Sequence, residues 1–197
     1  MKDEMGILRE ISTTAAAHGS IALYKMLGHK VALELPQLRA VGKQEFLKQI
    51  KSDDVVICVE SKILSGLGSK VLLTLTENSA NKLIKLLCKP EYSASGVITE
   101  VALSTLKEIG NVVIGAYLSA MGMYLKTVVI PAPPSLLSGT YGHVMNAALN
   151  VNEEGYVMVV DAVFDEKKEK ISGSIQIFMT KKDMEIIKKD CKSRIGL

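Results

Sequence analysis

The sequence has no tryptophan and only three phenylalanines, and aromatics make up 5% of its residues. That scarcity argues against a nucleic-acid surface, which pairs a one-sided basic stripe with stacking rings. Cysteine is also sparse. Cys58, Cys88 and Cys191 are scattered, no CxxC occurs, and no Cys/His pair has metal-ligand spacing. A disulfide framework and a structural zinc site are thereby excluded, and a reducing, cytoplasmic setting is expected. The three histidines, His18, His29 and His143, stand apart and read as structural or exposed. No nucleophile is paired with a histidine and no phosphate-binding glycine loop is present, so an independent small-molecule enzyme is a weak reading. The amino terminus, Met-Lys-Asp-Glu-Met, has no apolar signal-like region. No apolar run approaches the ~20 residues of a membrane span. The charge excess is only +3. The carboxy-terminal lysines Lys181, Lys182, Lys188, Lys189 and Lys192 are mixed with Asp183, Glu185 and Asp190, the pattern of a solvated helix face.

What is present is apolar content of 48% in 197 residues, enough for a sizeable core. The most informative stretch is Ser104-Thr-Leu-Lys-Glu108-Ile-Gly-Asn111. At about 100° per residue, Leu103, Leu106, Gly110, Val113, Tyr117, Ala120 and Tyr124 form one largely apolar stripe. Ser104, Glu108 and Asn111 lie on the opposite stripe, continued by Gly115, Ser119 and Gly122. Any surface helix shows polar residues opposite an apolar stripe, so the wheel gives a presented face without its task. Glycine inside a helix costs roughly 1 kcal/mol relative to alanine, which makes a flat track of small residues a costly choice for a merely solvated face.

Taken in order, the chain reads as a helix over 5–27, a weak strand from Val31 to Leu35 ending at Pro36, and a short helix over 43–50. A hairpin follows, formed by Asp54–Ile63 and Gly68–Thr76 around Ser65-Gly66, and then a helix from Glu77 to Lys89. Pro90 to Gly96 is the only linker-like stretch. The long helix capped by Thr99 runs to about Tyr124. It is followed by a strand over 126–130, a helix over 136–150, and strands from Gly155 to Phe164 and Ile171 to Thr180. Asp165 to Lys170 is the exposed turn between those strands, and Lys181–Lys192 is the last helix. The order repeats, and so do residues. Leu8-Arg-Glu10-Ile11 lies 98 residues before Leu106-Lys-Glu108-Ile109, as Pro36 does before Pro134, while Gly68-Ser69 lies 105 before Gly173-Ser174. The expected fold is α+β: one domain over 1–197 made of two repeats, about 1–95 and 96–197. They are related by a pseudo-twofold, with a single antiparallel sheet and the long helices packed on it.

The pattern Ser-x3-Glu-x2-Asn with a proline about 23 residues on, present once in full and once as a remnant, resembles the CheC / CheX / FliY phosphatases of chemotaxis. The Lys-Glu-Ile-Gly-Asn core, Pro133-Pro134 and the linker before the second long helix are most similar to CheC. FliY carries a further flagellar-switch domain for which this length leaves no room. The resemblance implies hydrolysis of the aspartyl phosphate on a phosphorylated response regulator, CheY. The regulator would bring its own Mg²⁺ and lysine, and this chain would bind no metal or cofactor itself. It implies a catalytic pair in which Asn111 aligns the attacking water and Glu108 fixes docking against a lysine of the regulator. Ser104 would add a hydrogen bond to the partner, Gly115 and Gly122 would let its surface approach, and Pro134 would shape the connection to the sheet.

The first repeat departs from this pattern. Glu10 matches Glu108, but Thr13 stands where Asn111 stands and Gly6 where Ser104 stands. Threonine has no carboxamide, so the first site is expected to be degenerate. His18 is five residues from Thr13 and turned well away from it. A non-catalytic adaptor that binds CheY or the receptor deamidase CheD is the alternative. Fused repeats make a monomer sufficient.

Overall fold

The computed structural model describes residues 4–28, 32–33, 37–50, 53–65, 70–88, 99–149, 154–166 and 169–195. Among these described residues six helices and eight strands follow in chain order: α1 (Glu4–Leu27), β1 (Ala32–Leu33), β2 (Gln37–Gly42), α2 (Lys43–Gln49), β3 (Val55–Ser65), β4 (Lys70–Thr76), α3 (Glu77–Leu87), α4 (Glu100–Tyr124), β5 (Ile130–Pro131), β6 (Ser135–Thr140), α5 (Tyr141–Ala148), β7 (Tyr156–Glu166), β8 (Glu169–Met179) and α6 (Lys181–Ile195). The fold is α+β, with one antiparallel sheet, as the sequence suggests.

The two hairpins β3–β4 and β7–β8 meet along β4 and β8 and form the middle of the sheet. The short strands exchange sides. β1 and β2, which follow α1, pair with β7, whereas β5 and β6, which follow α4, pair with β3. Ala32 and Ile130, Gln37 and Ser135, and Lys43 and Tyr141 begin matched elements, each pair 98 residues apart. Each outer strand thus closes the hairpin of the other half, covering two long strand edges with chain already tied to a helix.

Side-chain alternation along the strands gives the sheet two apolar faces. One carries α1, α3, α4 and α6 over Ile57, Val59, Leu73, Leu75, Met158, Val160, Ile175 and Ile177. The other buries Phe46 of α2 and Val144, Met145 and Ala148 of α5 against Val56, Cys58, Leu72, Val157, Val159 and Phe178. Caps set the helix starts. Thr76, Thr99 and Thr140 each accept a backbone N–H from three residues on. At α6, Thr180 Oγ1 accepts from the Asp183 amide, and Asp183 accepts from the Thr180 amide at 2.8 Å, a reciprocal cap.

Three expectations change. Residues 37–42 and 135–140 are edge strands, so the helix expected over 136–150 begins only at Tyr141. The strand expected over 126–130 is paired only at Ile130, where the chain meets β3. The second, smaller core under α2 and α5 was not anticipated. Pro36, Gly68, the Ser65-Gly66 turn beyond Ser65, and the linker from Pro90 to Gly96 lie outside the described residues. Cys58 is fully buried and its thiol is pushed up to about 12, chiefly by burial, with the Thr74 hydrogen bond pulling the other way. Among the described residues α4 is the one helix long and apolar enough by composition to cross a membrane, and here its apolar side is packed on the sheet.

Candidate functional site

The site is built on α4. Glu100 lies in its first turn, where a carboxylate complements the helix dipole. Its buried positions cover half the circumference, because the sheet lies beneath and α1 and α3 lie on either side. Leu106, Ile109, Val113, Ile114, Tyr117, Leu118 and Met121 are each exposed by 2% or less. Leu103 and Tyr124, placed on this stripe from the sequence, are more than a third exposed. At Gly110 the approach to the sheet is closest. A Cβ there would sit 2.4 Å from Val59 Cγ1, so only glycine permits this contact.

On the far side Ser104, Glu108 and Asn111 are all exposed, on successive turns, as the wheel predicts. Gly115 continues the track half-buried, with nothing within 4 Å of where a Cβ would stand, and Ser119 is exposed. Gly122 is a correction. It is buried, and its azimuth is right but its surroundings are not solvent. Lys126 adopts φ 51°, the chain reverses, and the Thr127 amide donates to the Gly122 carbonyl at 2.9 Å. A Cβ on Gly122 would stand 2.6 Å from the Thr127 oxygen. Gly122 therefore serves the helix C-cap and has no surface to offer a partner.

α1 packs beside α4. Gly19 lies against Val113, and Ser12 is a polar neighbour of Tyr117, so the two helices run in opposite senses. Glu10 is exposed and Thr13 half-buried on α1. The Tyr117 hydroxyl is enclosed between the helices and makes no hydrogen bond within ordinary limits to the described residues. Burial pushes its phenol up to about 12, offset only weakly by Ser12, whose own hydroxyl points to the Met158 sulfur at 3.9 Å.

Chemically, the α4 face offers a carboxylate, a carboxamide and a hydroxyl in a row, beside a strip on which another surface can lie close. Among the described residues, no group of three His, Cys, Asp or Glu side chains is placed to hold a metal ion. The face can bind and orient; it carries no nucleophile of its own.

Two long helices thus lie on a sheet whose outer strands are exchanged between the two hairpins. A model described as the CheC-like family matches residues 101–138, the segment that holds Ser104, Glu108, Asn111 and Pro134. The CheY-P phosphatase CheC of Bacillus subtilis (strain 168) is 25% identical over 171 residues, covering 84% of this chain and 82% of that one. Thermotoga maritima FliY superposes with a TM-score of 0.75 at 19% identity, over 95% of this chain and 96% of that one. The middle domain of FliM from H. pylori does so at 0.63 and 15% identity, over 96% and 99%. A chain of the CheX–CheY–BeF3–Mg²⁺ complex from Borrelia burgdorferi does so at 0.53 and 16% identity, over 84% and 95%. In sequence and in fold the chain is similar to the CheC / CheX / FliY group.

Proposed function

We propose that this chain is a cytoplasmic phosphatase that hydrolyses the aspartyl phosphate of a CheY-type response regulator, using the α4 face. The observation that supports this most directly is the exposure of Glu108 and Asn111 on adjacent turns, within the segment matched by the CheC-like model. The similarity to the CheY-P phosphatase of Bacillus subtilis supplies the substrate class.

An acyl phosphate is already reactive, and what it lacks is a water held in line. The Asn111 carboxamide oxygen accepts from that water and fixes its oxygen behind the phosphorus. The water oxygen bonds to phosphorus as the bond to the aspartyl oxygen breaks. The regulator's carboxylate leaves as a stable anion, so no protein acid is required. Mg²⁺ and a lysine, both held by the regulator, would neutralise the transferred group. Glu108 would be repelled by a phosphate, so its task is to pair with a basic group of the regulator and fix the approach. Ser104 adds a polar contact one turn earlier, and Gly115 keeps the surface low.

Thr13 favours a second reading. Because α1 lacks the carboxamide, a non-catalytic adaptor that holds CheY or CheD is the alternative, and a fold shared with the FliM middle domain is compatible with it. The decay of a phosphorylated CheY in Mg²⁺, with and without this protein, separates the two. Acceleration supports the phosphatase; unchanged decay with binding retained supports the adaptor.

A further inference from the structure

The sheet face opposite the long helices is covered by α2 and α5 at one end only. Beyond them lies a cleft of about 370 Å³, lined by residues from β2, β4, β7, β8 and the start of α5. That volume is within the range of small-ligand sites. It is separate from the α4 face, which lies on the other side of the sheet.

The cleft has a built floor. Asp161, Ser174, Thr74 and Cys58 stand opposite one another across four neighbouring strands. Thr74 is 4% exposed and donates to the Gln176 carboxamide oxygen at 2.8 Å. Gln176 is 0% exposed and donates to Ser174 Oγ at 2.6 Å. Ser174 is thus an acceptor within the network and keeps its own proton to donate into the cleft. Buried, mutually satisfied groups of this kind hold their geometry without a ligand. On the wall, Arg39 Nε and Asp161 Oδ2 are 3.9 Å apart, each side chain about half exposed (50% and 47%). At that distance the pair is not hydrogen-bonded, and an ion pair so exposed contributes little stability. Opposite charges are thus held side by side, each with donor or acceptor capacity left, above a hydroxyl-lined floor and beside the Tyr141 phenol.

We infer that this cleft binds a small zwitterion of the free amino-acid class, its carboxylate on Arg39 and its ammonium on Asp161. An α-amino acid carries the two charges on one carbon, which matches the adjacent guanidinium and carboxylate. A simple anion would meet repulsion from Asp161 and Asp54, and a simple cation would meet it from Arg39. The hydroxyls of Ser174 and Tyr141 suit a polar side chain, whereas that of Thr76 is committed to the α3 cap, donating to Ser79 Oγ.

The test is an amide-resolved NMR titration of the full chain with each of the twenty free amino acids, with calorimetry for those that shift it. For the tightest, the deaminated and decarboxylated analogues follow. The expected result is saturable shifts at Thr74 and Ser174 for an amino acid with a polar side chain. Affinity should fall at least about tenfold for both analogues and in R39Q and D161N. Three results would overturn the inference: no saturation by any of the twenty, an analogue that binds as tightly as the amino acid, or shifts confined to another part of the sheet. The wild-type shift map decides the matter even where a variant fails to fold.

Discussion

α1 and α4 lie side by side on one face of the sheet, with matched positions 98 residues apart, and they solve the same packing problem in opposite ways. Where α4 has Val113, Ile114 and Tyr117, α1 has Ala15, Ala16 and Gly19. A Cβ added at Gly19 would already meet Val113 Cγ1 at 3.5 Å, and Tyr117 is enclosed next to Ser12. Small residues on one helix thus accommodate large ones on the other, which keeps the interface filled without matching side chains. Facing outward, no such compensation is demanded, since an exposed substitution costs little stability. There Glu10 and Glu108 agree while Thr13 and Asn111 differ, and on the proposed function that single difference separates a working site from a degenerate one. Packing records the partner helix; the outer face records the task.

Five substitutions sharpen this contrast, taken in falling order of effect. Gly110→Leu drives a side chain into Val59, and the unfolding free energy should drop by about 3 kcal/mol or more in urea titration. A drop below about 1 kcal/mol would show that α4 can lift from the sheet. Gly122→Ala and Gly115→Ala should separate in sign: the first clashes with the Thr127 carbonyl and should cost about 1–3 kcal/mol, and the second should gain up to about 1 kcal/mol from helix propensity. Equal effects on the two melting curves would contradict the placement of Gly122 in the C-cap. Glu108→Lys should weaken affinity for the phosphorylated regulator by about tenfold, near 1.4 kcal/mol, and Glu10→Lys by less; calorimetry reads both.

Tyr117→Phe should be neutral or stabilising by about 1 kcal/mol, because it removes a buried hydroxyl without a partner. It also carries a pH signature. A phenol whose folded value is raised to about 12 from 10.0 leaves stability intact below pH 10 and loses it as pH rises from there toward 12. The variant should therefore lose less stability than wild type across that interval. Parallel curves would show that the hydroxyl is solvated.

The long helices were legible because each carries apolar positions at helical spacing over many turns, and because Thr99 is a good cap. The outward triad was legible for the same reason. β2 and β6 were not. Gln37–Gly42 and Ser135–Thr140 are six-residue edge strands with weak alternation, and their partners lie 75 or more residues away in the other half, which no local pattern encodes. Gly122 was misplaced because a helical wheel gives direction but not what the chain does after the helix ends. The polar cleft left no sequence signal. Arg39, Thr74, Tyr141 and Asp161 are brought together only by the exchange of strands between halves.

On the proposed function α4 carries a working site and α1 does not. That assignment is tested by the decay of phosphorylated CheY in Mg²⁺ with wild type, Asn111→Ala and Thr13→Ala, each checked for fold by circular dichroism. Wild type and Thr13→Ala should accelerate the decay alike, and Asn111→Ala should lose about a hundredfold or more, the scale of a lost positioning contact. Acceleration that survives Asn111→Ala and disappears in Thr13→Ala would contradict it.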